Sequence, residues 1–404
     1  MTVSIKRGVA CGRVEAPPSK SMAHRLIICA ALADGVSTLH GVSTSDDVCA
    51  TVDCLSALGV DVTRHGDIVT VKGIDPTAVT PKNTLFCRES GSTMRFMIPI
   101  AALSKNTVTL CGAPPLMRRP MTLYGDLFCE KGLTFLQDER SITVKGPLKG
   151  GEFSLPGDVS SQFISGLLFA LPLLSCDSRI RITSKIESRS YIDLTLASLA
   201  RFGVYAAWED ERTLYVRGGQ RYLPREVTVE GDCSGAAFPD ALNLLGGRVE
   251  VTGIREDTLQ GDRVYRAHLA ALEKGSPTIS LADCPDLGPI LFAVAAAKNG
   301  ATFTSTRRLR IKESDRVLCM REELVKLGAS LTVEEDRVTV HKTSLHPPAS
   351  LLDGHGDHRI VMSLAVLLTA LGGSIRGAEA VKKSYPDFFG MLRSLGIEVT
   401  EYDE

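Results

Sequence analysis

The segment Arg308-Leu309-Arg310-Ile311-Lys312-Glu313-Ser314-Asp315-Arg316 places four cations and two carboxylates within nine residues. Read as a strand, its alternation puts Arg308, Arg310 and Lys312 on one face, and a helix beginning near Glu313 adds Asp315 and Arg316. A salt-bridge lattice on the surface is the plain alternative. Cations at this density suit a small, multiply anionic substrate, and carboxylates lodged among them can carry protons.

Other segments repeat the theme at helix starts. A lysine or arginine there opposes the positive end of the helix dipole unless an anion sits between them. Pro17-Pro18-Ser19-Lys20-Ser21-Met22-Ala23-His24-Arg25 leads a rigid turn into such a start. Free N–H groups with Lys20 make a phosphate or carboxylate site, although Ser19 or Ser21 also serves as an ordinary cap. Glu89-Ser90-Gly91-Ser92-Thr93-Met94-Arg95 does the same, with Gly91 permitting close backbone approach. In Leu116-Met117-Arg118-Arg119-Pro120-Met121 the proline suits a first helical turn, and one arginine of the pair faces ligand while the other is solvated. Asp158-Val159-Ser160-Ser161-Gln162-Phe163 offers hydroxyls, an amide and N–H groups at the mouth of a helix running through Leu174. Asp357-His358-Arg359 and Lys382-Lys383-Ser384-Tyr385-Pro386 complete the set, each again at a helix start. Acid–base work falls to Lys20, Glu313, and Asp286 of Cys284-Pro285-Asp286-Leu287.

These segments must be held by a repeated scaffold. Glycines 59, 132, 203, 275, 328 and 396 recur at intervals of 53 to 73 residues, each ending an amphipathic helix before a strand. A second, apolar helix recurs in step, beginning near Ser21, Gly91, Ser161, Cys233, Asp286 and Asp357. In the first copy the pattern predicts a helix over 21–33, a strand over 36–39, a helix over 46–58 closed by Gly59, and a hairpin around His65-Gly66-Asp67. Every copy should read strand, helix, strand, helix, strand, strand. Proline-rich tracts such as 76–81 and 147–151 separate copies without forming long linkers. The half-way boundary falls near 224–231, so each half holds three copies in a pseudo-threefold arrangement of apolar helices behind sheets.

Composition narrows the class. A chain of 404 residues exceeds one ordinary core. Lys plus Arg number 46 against 47 Asp plus Glu, so no global charge points to nucleic acid or an anionic membrane. The eleven cysteines lack ligand spacing and fit reduced core thiols. No apolar run reaches membrane-spanning length and the N-terminus has no signal-peptide pattern, so a soluble, cytoplasmic protein is expected. No metal-ligand or nucleotide-cofactor motif appears, and no cofactor or metal is expected.

In this order, from Pro17 to Pro386, the segments resemble the 5-enolpyruvylshikimate-3-phosphate synthases, with Lys-Glu-Ser-Asp-Arg at 312–316 close to diagnostic. The resemblance implies a mixed α/β fold of two similar domains, each a prism of three βαβαββ units. They divide as residues 19–230, and 1–18 with 231–404, with the active site in the cleft between them. It also implies transfer of the enolpyruvyl group from phosphoenolpyruvate to the 5-hydroxyl of shikimate 3-phosphate, through a tetrahedral intermediate that expels phosphate. Lys20, Ser21, Arg25, Ser160, Ser161, Gln162, Ser188, Asp286 and Lys312 then correspond to shikimate 3-phosphate ligands. Lys20, Gly91, Arg119, Gln162, Arg316, Arg359 and Lys383 correspond to phosphoenolpyruvate ligands. Lys20, Asp286 and Glu313 correspond to the proton carriers, in a chain that by resemblance acts as a monomer.

Two departures stand out: many members read Asn-Ala-Gly-Thr-Ala-Met-Arg-Pro where this chain has 89–96, and Arg308 replaces a frequent asparagine. The related UDP-N-acetylglucosamine enolpyruvyl transferases carry Lys-Asn at the first helix start and a cysteine five residues before the loop arginine; here Ser21 and Pro114 stand at those positions. The RNA 3'-phosphate cyclases need a C-terminal histidine context that none of the eight histidines provides. A non-catalytic repeat protein would explain six copies, but not why their helix-start cations differ.

Overall fold

A computed structural model describes residues 1–78 and 84–402, so the tract at 76–81 lies partly outside the described residues. Six apolar helices form the inner layer: α1 (Lys20–Ala31), α2 (Gly91–Ala101), α3 (Ser161–Ala170), α4 (Cys233–Ala241), α5 (Gly288–Ala297) and α6 (His358–Leu371). They are apolar nearly all round, and α6 buries every residue from His358 to Thr369. Such helices belong inside a core rather than over it. Five of the six start behind a side-chain cap, from Ser19, Ser90, Ser160, Asp232 and Asp357. Only α5 replaces the cap with a short turn over Pro285–Leu287. Each cap occupies one orphan N–H, or two in the case of Asp232, and leaves others at the helix mouth for a ligand.

The sheets show how one unit was repeated. In the second copy Leu85–Phe86 runs parallel to Thr107–Cys111, and Ser141–Lys145 pairs antiparallel with both Thr107–Cys111 and Thr134–Gln137. The third copy repeats this with Glu152–Leu155, Ser178–Ile182, Ala206–Trp208 and Thr213–Val216. Parallel neighbours require a crossover, which the apolar helix supplies. The first copy borrows its outer strand, Glu226–Thr228, from beyond the third copy, pairing it parallel with Val36–His40 and closing the set of three. In the last copy the N-terminal strand Thr2–Ile5 fills the inner hairpin position, between Gly373–Arg376 and Val399–Tyr402.

The fourth copy departs from the expected order. Among the described residues its sheet has only Cys11–Glu15 and Arg248–Thr252, with no hairpin after the helix Tyr265–Lys274. The missing hairpin accounts for the 53-residue interval after Gly275. The backbone agrees: Gly59, Gly132, Gly203, Gly328 and Gly396 have φ between 68° and 106°, the left-handed turn from helix into hairpin, whereas Gly275 is extended at 178°.

Contacts divide the chain into two compact units, Pro18–Glu230, and Met1–Pro17 with Gly231–Glu404, each enclosing its own apolar core. Most predicted elements stand; several boundaries do not. The helix at 46–58 ends on left-handed Gly59 and its hairpin forms over Asp61–His65 and Ile68–Lys72, as the spacing predicts. The first helix stops at Ala31, two residues short of its expected end, and the Ser161 helix gives way to a tighter turn over Leu171–Leu173. No strand forms at 308–312; Arg307–Ile311 is a 3-10 helix that buries Arg308 and Leu309 together. The buried Thr306 starts that turn, and burial of two consecutive residues defeats strand alternation.

Candidate active site

In the unit 18–230, Lys20 is the first residue of α1 and pairs with Asp47 at 2.7 Å, both largely shielded. Further along the same helix, Arg25 is buried and, among the described residues, has neutral hydrogen-bond partners only: Nε donates to Thr195 Oγ1 at 2.9 Å, Nη1 to the Ser21 carbonyl at 2.7 Å and Nη2 to the Tyr191 carbonyl at 3.0 Å. Burial pushes this guanidinium down to about 10, so it stays charged and retains an uncompensated attraction for an anion.

The starts of α2 and α3 are tied together. Gln162 of α3 accepts from Arg95 Nη1 at 2.7 Å and donates from Nε2 to Ser92 Oγ at 2.7 Å. A methyl group at Gly91 would lie 2.7 Å from Arg119 Nη1 and 2.9 Å from Arg95 Nη1. Two guanidinium groups therefore crowd one helix N-terminus, an arrangement suited to a carboxylate or phosphate. Arg118 is exposed and Arg119 half-buried, dividing the pair as expected. Pro120, however, precedes the helix Thr122–Glu130 instead of opening it. Ser160 caps α3, and Ser161 is buried in its first turn. Ser188 sits at the left-handed start of the helix Arg189–Arg201. Glu187 N donates to the Gly157 carbonyl at 3.1 Å and Ser184 Oγ to Asp158 at 2.6 Å, so the loop bearing Ser188 runs beside the one leading to Ser160.

The second cluster lies within the other unit and centres on Arg316, the first residue of the helix Arg316–Lys326 and only 1% exposed. Its guanidinium bridges three carboxylates: Asp357 at 2.8 Å, Asp286 at 3.0 Å and Glu313 at 2.7 Å. Burial alone would lower its pKa, but Asp357, Glu313 and Asp286 outweigh that and raise it. Asp286 also meets Arg359 at 3.0 Å and Lys312 at 3.5 Å. Burial pushes the Asp286 carboxyl up, yet Arg359, Lys312 and Arg316 together hold it well below the usual carboxylate range. It is therefore ionised, a hydrogen-bond acceptor able to orient a hydroxyl but a weak base while its three cations stay in place.

Arg359, 3% exposed, donates from Nη2 to Ser234 Oγ at 3.0 Å as well as to Asp286, while its Nε and Nη1 have no partner among the described residues. A buried guanidinium with idle donors is costly unless a ligand takes them. Lys383 donates to the Gly356 carbonyl at 2.8 Å, beside Asp357. It ends a 3-10 helix, Ala378–Lys383, instead of starting a helix as expected. Burial pushes Lys312 down to about 8 against the pull of Asp286, placing its charge within reach of a small pH change.

Three polar residues received no role from the sequence. Asp47 hides in the acidic first turn of the helix 46–58, Ser234 in the first turn of α4, and Arg95 in the α2 segment, where only Gly91 stood out. Repeat logic signals Ser234, since α4 occupies the position that bears chemistry in the other copies. Glu322, Glu323 and His355 bring potential ligand atoms within 4.8 Å of one another, outside the cluster just described. Lys326 donates to both Glu323 oxygens at 2.8 Å and His355 meets one of them at 3.0 Å, so this buried carboxylate is already satisfied within the chain.

Comparison with known proteins identifies the family. A sequence model of the EPSP synthase (3-phosphoshikimate 1-carboxyvinyltransferase) family matches residues 6–392. A 3-phosphoshikimate 1-carboxyvinyltransferase of Clostridium kluyveri is 38% identical, over 99% of this chain and 98% of that protein. One from Clostridioides difficile is 35% identical, over 97% of each. Among solved structures, an EPSP synthase from Acinetobacter baumannii shares the fold with TM-score 0.78 at 23% identity, covering 99% of this chain and 100% of that one. The enolpyruvyl transferase NikO from Streptomyces tendae shares it with TM-score 0.79 at 14% identity, covering 99% and 98%. No helix among the described residues is long and apolar enough to cross a membrane. With the family matched over nearly its whole length, this chain belongs to the EPSP synthase (3-phosphoshikimate 1-carboxyvinyltransferase) family.

Proposed function

We propose that the chain transfers the enolpyruvyl group of phosphoenolpyruvate to the 5-hydroxyl of shikimate 3-phosphate, serving aromatic biosynthesis. The carrying observation is the end-to-end likeness to proteins named for this reaction. The hydroxyl oxygen adds to C2 of phosphoenolpyruvate while C3 takes a proton; loss of that proton and of inorganic phosphate then restores the double bond. Lys20, Ser21, Arg25, Ser160, Ser161, Gln162, Ser188, Asp286 and Lys312 hold shikimate 3-phosphate. Lys20, Gly91, Arg119, Gln162, Arg316, Arg359 and Lys383 hold phosphoenolpyruvate. Lys20, Asp286 and Glu313 move the protons; Asp286, ionised among Arg359, Lys312 and Arg316, gains basicity only as the substrates draw on those cations. We assign the chain to the cytoplasm, where its free cysteines stay reduced, and expect it to act as a monomer.

The residue assignment has a direct test. Arg119→Ala should raise KM for phosphoenolpyruvate and Ser161→Ala that for shikimate 3-phosphate, each by about tenfold or more, the loss of one charged or polar contact. Equal effects of each variant on both substrates would remove the division.

Lys312 gives a pH dependence. Its charge is present below about 8 and lost above, so binding of the anionic substrates should weaken as pH rises through about 8. Lys312→Arg, charged at all these values, should flatten that limb. Its stability linkage has the opposite sign. Because its folded value of about 8 lies below its ordinary 10.5, the unfolded chain binds more protons between them, and this group adds stability as pH rises across that window. An alkaline limb unchanged in Lys312→Arg would assign the titration elsewhere.

A further inference from the structure

Lys20–Asp47 is the upper of two rungs between the same pair of helices. One turn deeper on each, His24 Nδ1 meets Thr51 Oγ1 at 2.7 Å, with the same 27-residue offset. The contact continues: Thr51 Oγ1 lies 2.7 Å from Thr93 Oγ1, and Thr93 donates to Ser90 Oγ at 2.8 Å. Ser90 caps α2, accepting from Thr93 N at 3.2 Å, directly before Gly91. A buried polar chain thus joins α1, beneath Lys20, to the helix start crowded by Arg119 and Arg95. His24, Thr51, Thr93 and Ser90 are all at most 1% exposed.

Proton counting gives the chain a direction. Each hydroxyl has one proton. The Thr93 proton has two acceptors, Ser90 Oγ at 2.8 Å and the Asp47 carbonyl at 3.4 Å; spent on either, it leaves Thr51 to donate to Thr93 and His24 to donate from Nδ1 to Thr51. The ring's other nitrogen, Nε2, then carries a lone pair and has no partner among the described residues. Burial, with Lys20 and Arg25 nearby, keeps the ring neutral.

We propose that His24 is a positioning residue: its Nδ1–H orders the Thr51–Thr93–Ser90 hydroxyl chain, which fixes the anion-binding start of α2 in register with Lys20. This rests on the assignment of Gly91 and Arg119 to phosphoenolpyruvate. Neither His24 nor Thr51 touches substrate; both act through the cap. Their effect should therefore fall on one substrate's affinity more than on the other's.

The test combines nitrogen-15 NMR of the histidine-labelled full chain with kinetics of His24→Leu, Thr51→Val and His24→Asn. The His24 resonances, identified by their loss in His24→Asn, should show the proton on Nδ1. His24→Leu and Thr51→Val should each raise KM for phosphoenolpyruvate about tenfold, with KM for shikimate 3-phosphate changed less than about twofold. His24→Asn, whose amide N–H can donate to Thr51, should recover most of that loss. A proton on Nε2, equal rises in both KM values, or an asparagine variant no better than leucine would overturn the proposal. If the unaltered chain turns over neither substrate, the functional assignment fails, while the NMR result still decides the direction of the chain.

Discussion

Arg316→Met should cost about 3–5 kcal/mol of unfolding free energy, the range for removing one partner of a buried ion pair. The arginine is 1% exposed and the only bridge that touches Asp357, Asp286 and Glu313 together among the described residues. Methionine of similar reach fills the space but leaves three carboxylates facing one another. The sharpest cost falls on Asp357, fully buried, which is left accepting from Arg359 N at 2.9 Å, capping α6, and from the neutral Ser314 Oγ at 3.1 Å. Burial pushes the Asp357 carboxyl up and Arg316 pulls it below its ordinary value, so removing the arginine releases that upward pressure. Arg316→Met with Asp357→Asn should recover part of the loss, because asparagine still caps the helix without a buried charge. Urea unfolding monitored by circular dichroism measures both variants. A loss under about 1 kcal/mol for the single variant would show that water already reaches the cluster.

Gly91→Ala should separate stability from binding. The atoms the new methyl would strike, 2.7 Å and 2.9 Å away, are the tips of Arg119, half-buried and flexible, and of Arg95, buried and bonded to Gln162. Alanine favours a helix interior over glycine by about 1 kcal/mol and gains less at this first helical position, so that gain and the displacement of Arg95 should roughly offset and leave stability little changed. The displaced groups are the ones that face the anion, however. Moving both guanidinium groups from the helix start should raise KM for phosphoenolpyruvate about 10- to 100-fold, or about 1.4–2.8 kcal/mol. Arg95 also holds Gln162 at 2.7 Å, so a smaller effect on shikimate 3-phosphate is expected. Steady-state kinetics with each substrate varied, beside a thermal melt, reads both effects. Unchanged affinity for phosphoenolpyruvate would remove Gly91 from the site.

Periodicity made the scaffold legible because each apolar helix is buried on all sides and most hairpins follow a glycine. It could not show strands borrowed across the chain, since Thr2–Ile5 and Glu226–Thr228 join copies far from them in sequence. Nor did it distinguish a strand from a 3-10 helix at 307–311, where Arg308 and Leu309 are buried side by side. The helix-start cations were visible because they oppose the dipole. Their counter-charges were not: Asp47 reads as an ordinary acidic first turn, and only the fold pairs it with Lys20. The His24 chain was equally hidden, since Thr51, Thr93 and Ser90 read as small polar residues until three helices bring them together.

The proposed function is one reaction on one pair of substrates. The purified chain, given phosphoenolpyruvate and shikimate 3-phosphate, should release inorganic phosphate in equal amount to an enolpyruvyl product identified by mass spectrometry, and phosphoenolpyruvate alone should release none. No phosphate with both substrates present, or enolpyruvyl transfer to UDP-N-acetylglucosamine in place of shikimate 3-phosphate, would contradict it.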